Sequence, residues 1–472
     1  RNIFSAVMSA HTVWILLTPI LILSTIISSP PMINQISSAS TSGLSDLLYD
    51  RIGFGGDTIG GLHGDVYYVT TLADSGPGSL RYAAERPEPL WIIFKVSGII
   101  KLRSPIRVAS YKTIDGRNAS ITISGNGLIL DGVSHVIIAY IRFDSGDGDA
   151  IQIINSAHNI WIHHCDFVNW GDGLIDITRG ATNITVSWCR FWSHNKVMLI
   201  GADPADIMDE AIQVTLHHNF FYETIQRHPR LRFGKVDVYN NYYYRCQSYC
   251  IGSTMHGRVL AEANIFEECT TIFQSSLGGD PENGYIKLIG NLFLSSGLCE
   301  SVNPEKVFIR EDYYKAPVEP ATEELKSKII AYAGCPYPAN PRIMRRIPDG
   351  EKSGHPMYVT DFAIPIGESI TLYADIPPPR SISEWVESIE WDFGDGSKGV
   401  GKTVEHSYSI PGSYTVRVYI KYRSGGSITL TTTLNVYVRL ELIACLILAC
   451  TIAVSSVMIL LKHRRIKAIK SA

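Results

Sequence analysis

One short pattern recurs through the middle of this chain and constrains its fold more than anything else. An apolar–polar alternation runs into asparagine or cysteine, then one residue, then an aromatic ring. It reads Ile160-Trp161-Ile162-His163-His164-Cys165-Asp166-Phe167, then Ile184 to Phe191, Val214 to Phe221, Val236 to Tyr243, Val259 to Phe266 and Ile286 to Phe293. A fainter copy spans Val136 to Phe143. Asn219, Asn241, Asn264 and Asn291 take the slot that Cys165 and Cys189 take in the earlier copies. The spacing, from the low twenties to about thirty residues, is that of solenoids. Two-residue alternation means extended strands, and no segment with helical periodicity separates the copies. A single copy cannot bury its apolar face, whereas stacked copies build a continuous core. The expectation is an all-β parallel β-helix in which the asparagines form an amide ladder and the aromatic rings stack.

The same register sorts the cysteines and histidines. Cys165 and Cys189 are expected as inward thiols standing in for asparagine, because the Cβ vectors of stacked residues run parallel and disfavour a bridge. Cys246 and Cys269 follow the same rule. His163-His164 and His217-His218 fall in matching slots, but Ser187-Trp188 occupies the copy between them. A satisfied structural or substrate-facing histidine is therefore favoured over zinc.

With 472 residues, two or more domains are expected. Net charge is −3, so no global field favours nucleic acid, and any electrostatic function is local. Residues 1–31 hold an apolar run, Val13 to Ile27, and read as a signal peptide or N-terminal anchor. A serine-rich linker covers 32–48, the β-helix 49–345 and a second linker 346–357. From 358 to 438 antiparallel alternation with Asp395-Gly396 and Pro411-Gly412 turns indicates a small immunoglobulin-like β-sandwich. Residues 440–461 are long enough for a transmembrane helix. The basic tail 462–472 then places itself in the cytoplasm and the rest of the chain outside, at the cell surface. The sequons at Asn118 and Asn183 are compatible with that location. Of nine cysteines, Cys445 and Cys450 lie in the apolar span; among the others Cys299 and Cys335 form the most plausible bridge.

Chemistry concentrates at a few positions. Arg227-His228-Pro229-Arg230-Leu231-Arg232 packs three guanidinium groups into one short segment. Alternation puts Arg230 and Arg232 on one face, and Pro229 biases His228 toward an extended conformation. Arginine grips carboxylates in bidentate fashion, so a polyanion is the natural ligand, although a solvated basic strand would look the same. Asp147 and Asp149, in Asp147-Gly148-Asp149, lie one rung before Asp172 and Asp176, and Lys196 one rung after them. Taken alone, each Gly-Asp run reads as an ordinary turn. Together the carboxylates offer hard oxygen ligands that favour Ca2+. Calcium bridging protein and uronate carboxylates would acidify the proton beside the uronate carboxylate and support β-elimination of the 4-linked sugar.

At this point the residues resemble a known family. Gly148-Asp149-Ala150-Ile151, Ile160-Trp161-Ile162-His163-His164, Asp172 with Asp176, Val214 to Asn219 and Arg227 to Gly234 are similar to pectate lyases of polysaccharide lyase family 1, over about residues 53–296. The resemblance implies a right-handed parallel β-helix and Ca2+-dependent β-elimination of α-1,4-linked polygalacturonate; separately, a monomer is expected. It implies Asp149, Asp172 and Asp176 as metal ligands and Arg227 as general base. Lys196 and Arg232 would grip the substrate carboxylate, and Arg230 would add to substrate binding. A guanidinium base points to a high pH optimum, since the group normally stays protonated. His163 departs from the family pattern, which has aspartate there. Trp391-Asp392-Phe393-Gly394-Asp395-Gly396, with His406-Ser407-Tyr408, resembles the polycystic-kidney-disease (PKD) repeat and implies a spacer or a glycan or protein contact. Two other functions fit the same residues less well. A non-catalytic β-helix adhesin would not need Lys196, Arg227 and Arg232 together. A β-helix polygalacturonase would need paired catalytic carboxylates and leave the arginines without a role.

Overall fold

The computed structural model describes residues 42–347, 357–439 and 449–461. The N-terminal apolar run, most of the 346–357 linker and the basic tail lie outside the described residues. Ser42–Ser45 is a single helical turn.

The repeats are the rungs of a parallel β-helix. Three parallel sheets of ten, eight and nine strands run its length. The first sheet carries the alternating segments, and their register is that of the sequence motif. Val136 pairs with Ile160, Ile160 with Ile184, Ile184 with Val214, Val214 with Val236, Val236 with Val259 and Val259 with Ile286. Each of these side chains is fully buried. The ring following each ladder position stacks on the next: Phe143, Phe167, Phe191, Phe221, Tyr243, Phe266 and Phe293 have centroids 4.6–5.5 Å apart.

The amide ladder forms as expected. Asn219 Nδ2 donates to Asn241 Oδ1 at 2.9 Å, Asn241 Nδ2 to Asn264 Oδ1 at 3.0 Å and Asn264 Nδ2 to Asn291 Oδ1 at 3.0 Å. Each Oδ1 also accepts the backbone N–H of the rung before it. Cys189 N donates to Asn219 Oδ1 at 2.9 Å and Cys165 N to Cys189 Sγ at 3.4 Å, so the thiols extend the ladder. The corner residue just before each ladder position is left-handed, with φ near +50 to +60° at Tyr140, His164, Trp188, His218, Asn240 and Ala263. Only Gly290 among these corners lacks a Cβ; elsewhere the strain is offset by the bonds that the corner makes possible.

The histidine pairs are structural. At the position where the family pattern has aspartate, His163 Nδ1 and Trp161 Nε1 both bond Ser187 Oγ at 2.9 Å, and the buried His163 Nε2 has no hydrogen-bond partner. His217 Nδ1 bonds His218 Nδ1, whose ring contacts Glu319 through Nε2 at 2.9 Å. Burial pushes His164 and His218 down to about 4.

The bridge expected between Cys299 and Cys335 is not formed, and both thiols are free. Cys335 follows the outer helix Glu323–Tyr332 and is buried beside Asp166, to which its N–H donates at 3.2 Å. Cys299 instead follows the last strand of the third sheet, Leu292–Leu294.

The sandwich has sheets of four and five strands around Trp391, Phe393, Tyr408 and Val418. Its first strand, Arg342–Ile347, pairs antiparallel with Ser369–Asp375. It thus begins within the stretch assigned to the β-helix and runs into the expected linker. Of the 440–461 span, residues 449–461 are described and helical. Among the described residues no helix is long and apolar enough to cross a membrane.

Replacing Asn241 with alanine removes donors and an acceptor from the middle of the ladder and leaves buried partners unpaired. Asn241→Ala is expected to cost about 3 kcal/mol in denaturant unfolding, against well under 1 kcal/mol for a change at an exposed loop position.

Candidate active site

The second sheet carries the charged positions. Its strands Ile151–Ile154, Gly173–Ile177, Lys196–Ile200 and Arg230–Arg232 are consecutive neighbours. Gln152 pairs with Asp176, Asp176 with Leu199 and Leu199 with Arg230, so these side chains rise from one face, rung after rung. Leu231, pointing the other way, is buried in the core.

Gly173 is the floor of the acidic cluster. A Cβ there would lie 2.4 Å from Asp176 Oδ1 and 2.9 Å from Asp149 Oδ1, so both oxygens look into the same small space. Asp149 Oδ1 also accepts Gly173 N–H at 2.7 Å, and Asp149 Oδ2 accepts Gln152 Nε2 at 2.6 Å. Asp176 Oδ1 is buried with no hydrogen-bond partner. Asp172 is half exposed and accepts Lys196 Nζ at 2.8 Å. Burial, reinforced by the Asp149 charge, raises Asp176 to about 8, while Arg227 pulls in the other direction. Burial also raises Asp149.

These features fit a hard cation. A buried carboxylate oxygen without a donor, facing a second carboxylate, is the donor set that a divalent ion satisfies. The three aspartates are not drawn into a closed cage, because Asp172 turns onto Lys196. The one group of three metal-type ligands with all donor atoms within 4.8 Å among the described residues is Cys246, Cys250 and Cys269, buried elsewhere in the core.

Arg227 sits one rung beyond Lys196. Its carbonyl accepts Met198 N–H at 2.8 Å, and its φ is +67°. The following His228–Pro229 peptide is cis and forms a turn, in place of the extended run expected. The buried Nε of Arg227 has no hydrogen-bond partner. Arg230 and Arg232 share a face, as alternation requires, but both are paired. Arg230 Nη2 donates to Asp280 Oδ2 at 3.0 Å, and Arg232 Nε and Nη2 donate to Asp280 at 2.8 and 3.1 Å. Arg232 Nη1 donates to the Gly201 and Ala202 carbonyls. Sequence reasoning missed Asp280. It lies in a Gly-Gly-Asp-Pro turn that no local pattern connects to arginines some fifty residues earlier. Gln152, which steadies Asp149, was equally invisible.

The raised Asp176 makes stability pH-dependent. In the unfolded chain the carboxyl ionises near its ordinary value, about 4, whereas the folded protein holds the proton until about 8. The folded state therefore binds more protons across that window and loses stability as pH rises through it. With chelator present, Asp176→Asn is expected to be more stable than the parent near pH 9 and to match it near pH 4, read by urea unfolding. An equal or lower stability near pH 9 would show that the carboxylate is not strained.

Comparison with known proteins agrees with this geometry. The pectate lyase family matches residues 98–334, half of the chain, and a PKD domain matches residues 380–438. Pectate lyase 1 of Ambrosia artemisiifolia is 39% identical over 241 residues, 45% of this chain and 60% of that protein. Probable pectate lyase 6 of Arabidopsis thaliana is 40% identical over 243 residues, 46% of this chain and 53% of that protein. The chain thus spans just over half the length of these relatives. The crystal structure of jun a 1, the major allergen from cedar pollen, superposes with a TM-score of 0.54 at 31% identity, covering 62% of this chain and 95% of that one. Repeat register, charged face and family match converge: this chain belongs to the pectate lyase family.

Proposed function

We propose that the protein is a calcium-dependent pectate lyase that cleaves α-1,4-linked polygalacturonate by β-elimination outside the cell, held at the membrane by its C-terminal helix. The observation that carries this reading is the convergence of Asp149 and Asp176 over Gly173, with an unpartnered Asp176 oxygen, one rung from Lys196 and two from Arg227. Asp149, Asp172 and Asp176 would hold the ion. When bound, Ca2+ neutralises carboxylate charge and so favours loss of the proton on the adjacent carbon.

The chain's own residues divide the remaining work. Lys196 binds the uronate carboxylate by exchanging its half-exposed partner Asp172, a swap that costs little because that pair is partly hydrated. Arg227 takes the proton. Its Nε is already free of hydrogen bonds and buried, which removes competition from water. A guanidinium base calls for alkaline medium, since Arg227 must shed a proton before accepting one. Arg230 and Arg232, held on Asp280, form a fixed positive wall; Arg232 reaches substrate by trading that carboxylate for the uronate's. Elimination passes the C5 proton to Arg227, forms the C4–C5 double bond and breaks the C4–O bond, the departing oxygen taking a proton from water, to give an unsaturated uronide.

Two further features support the location and state of assembly proposed here. Residues 449–461 present Ile452, Val454, Val457, Met458 and Leu460 to the outside of the helix, and a basic stretch follows in sequence. Nothing in the charged face requires a second copy, so a monomer is proposed.

The test is incubation of the protein with polygalacturonate and Ca2+ while following ultraviolet absorbance of unsaturated product. Absorbance is expected to rise, to rise faster at alkaline pH, and to stop on chelation. Arg227→Ala is expected to lower kcat by about 10²–10⁴-fold with unfolding unchanged. New reducing ends without absorbance would mean hydrolysis, and polymer binding without cleavage would mean an adhesin.

A further inference from the structure

The PKD-like sandwich is not a free spacer. Arg342 Nη1 and Nη2 donate to the two Asp144 oxygens on the β-helix at 2.9 and 2.7 Å, while its Nε holds Asp375 of the sandwich at 2.9 Å. Ser193 Oγ and the Tyr373 hydroxyl are 2.7 Å apart, and Lys402 pairs with Glu223. Trp385 packs edge-on against Tyr244 with centroids 4.4 Å apart. Arg342 and Asp375 are mostly buried, so this is a desolvated network in which losing one partner strands another.

The docked sandwich encloses a groove of ≈ 370 Å³ against the β-helix, within the roughly 300–1,000 Å³ typical of ligand sites. Its floor comes from successive rungs: Trp170, then His194 and Asn195, then Glu223 and Ile225, then Gln247. These residues border the proposed site directly. Trp170 is two residues before Asp172, whose carbonyl bonds His194 Nε2 at 2.7 Å. Asn195 precedes Lys196 and accepts Gln226 Nε2 at 3.0 Å, next to Arg227. The opposite wall belongs to the sandwich and includes Arg346 and Thr403. Arg346 is exposed, and no acid among the described residues pairs with it.

We propose that this groove binds galacturonate residues of the polymer beyond the one held at Lys196, with Arg346 contacting a uronate carboxylate from the sandwich side. The proposal rests on the lyase reading above. Its one acid, Glu223, is already paired with Lys402 and Arg245, and the rest of the lining suits the ligand: amides and an indole for hydroxyl-rich sugar faces, and one uncommitted guanidinium for a carboxylate. The rungs carry it along the solenoid axis, beside the charged face, since Trp170 and Asn195 share rungs with Asp172 and Lys196. The sandwich is thereby a determinant of preference for long chains.

The test compares parent, Arg346→Glu and Thr403→Trp, the last chosen to fill the groove from an exposed strand position. Steady-state kinetics are measured with full-length protein on polygalacturonate and on trigalacturonate. Both variants are expected to raise KM for the polymer about tenfold, the weight of one charge-assisted hydrogen bond, with kcat and the trimer KM unchanged. Unchanged KM on both substrates overturns the proposal, as does an equal change on both, which would place Arg346 in the site at Lys196. If the parent turns over neither substrate, the lyase reading fails by itself. Retardation in a polygalacturonate gel then decides the groove: weaker retention of both variants supports it, and retention equal to the parent's overturns it.

Discussion

Everything in this molecule depends on strands stacking in register, one rung directly over the next. A parallel sheet with that register turns sequence distance into a fixed spatial step of about 4.8 Å per rung. The step is held by side chains whose own bonds repeat. Asn219, Asn241, Asn264 and Asn291 pass hydrogen bonds from rung to rung, and the ring beside each stacks on its neighbour. A slip by one residue would turn every valine and isoleucine of the core outward. It would also leave each amide without a partner, so the two errors reinforce each other and the register is strongly specified.

The charged face is a consequence of the same register and works against stability. Stacking places Asp149 and Asp176 over Gly173, where neither burial nor like charge favours ionisation. On the neighbouring rungs the positive groups are managed differently. Lys196 is held by a half-exposed carboxylate, and Arg230 and Arg232 by Asp280, while Arg227 and Arg230 each keep a buried Nε unpaired. A face that carries both an unpartnered acid oxygen and an unpartnered guanidinium nitrogen holds its strain where a cation and a carboxylated sugar would relieve it.

Much of this was legible from residue spacing. The recurring Asn/Cys slot gave the register, and with it the inward thiols and the aromatic stack. Asp149, Asp172, Asp176, Lys196 and Arg227 could be placed on adjoining rungs because each follows its own copy of the motif. What stayed hidden depends on contacts that no periodicity encodes. Asp280 reaches Arg230 and Arg232 from a distant turn. Cys299 and Cys335 looked pairable by position, yet Cys335 is carried by the outer helix to the Asp166 side of the solenoid. The sandwich read as a separate module because composition marks a boundary, whereas the Arg342–Asp144 and Lys402–Glu223 pairs that dock it are long-range.

The central claim is that stacking builds a cation site whose aspartates hold a proton until the ion arrives. Calorimetric titration of Ca2+ into the protein at pH 7, repeated in two buffers of different ionisation enthalpy, reads ions bound and protons released together. The account predicts saturable binding with net proton release, because burial beside Asp149 raises Asp176 toward its protonated form, and less release from Asp176→Asn. Absence of binding, or binding without proton release, would contradict it.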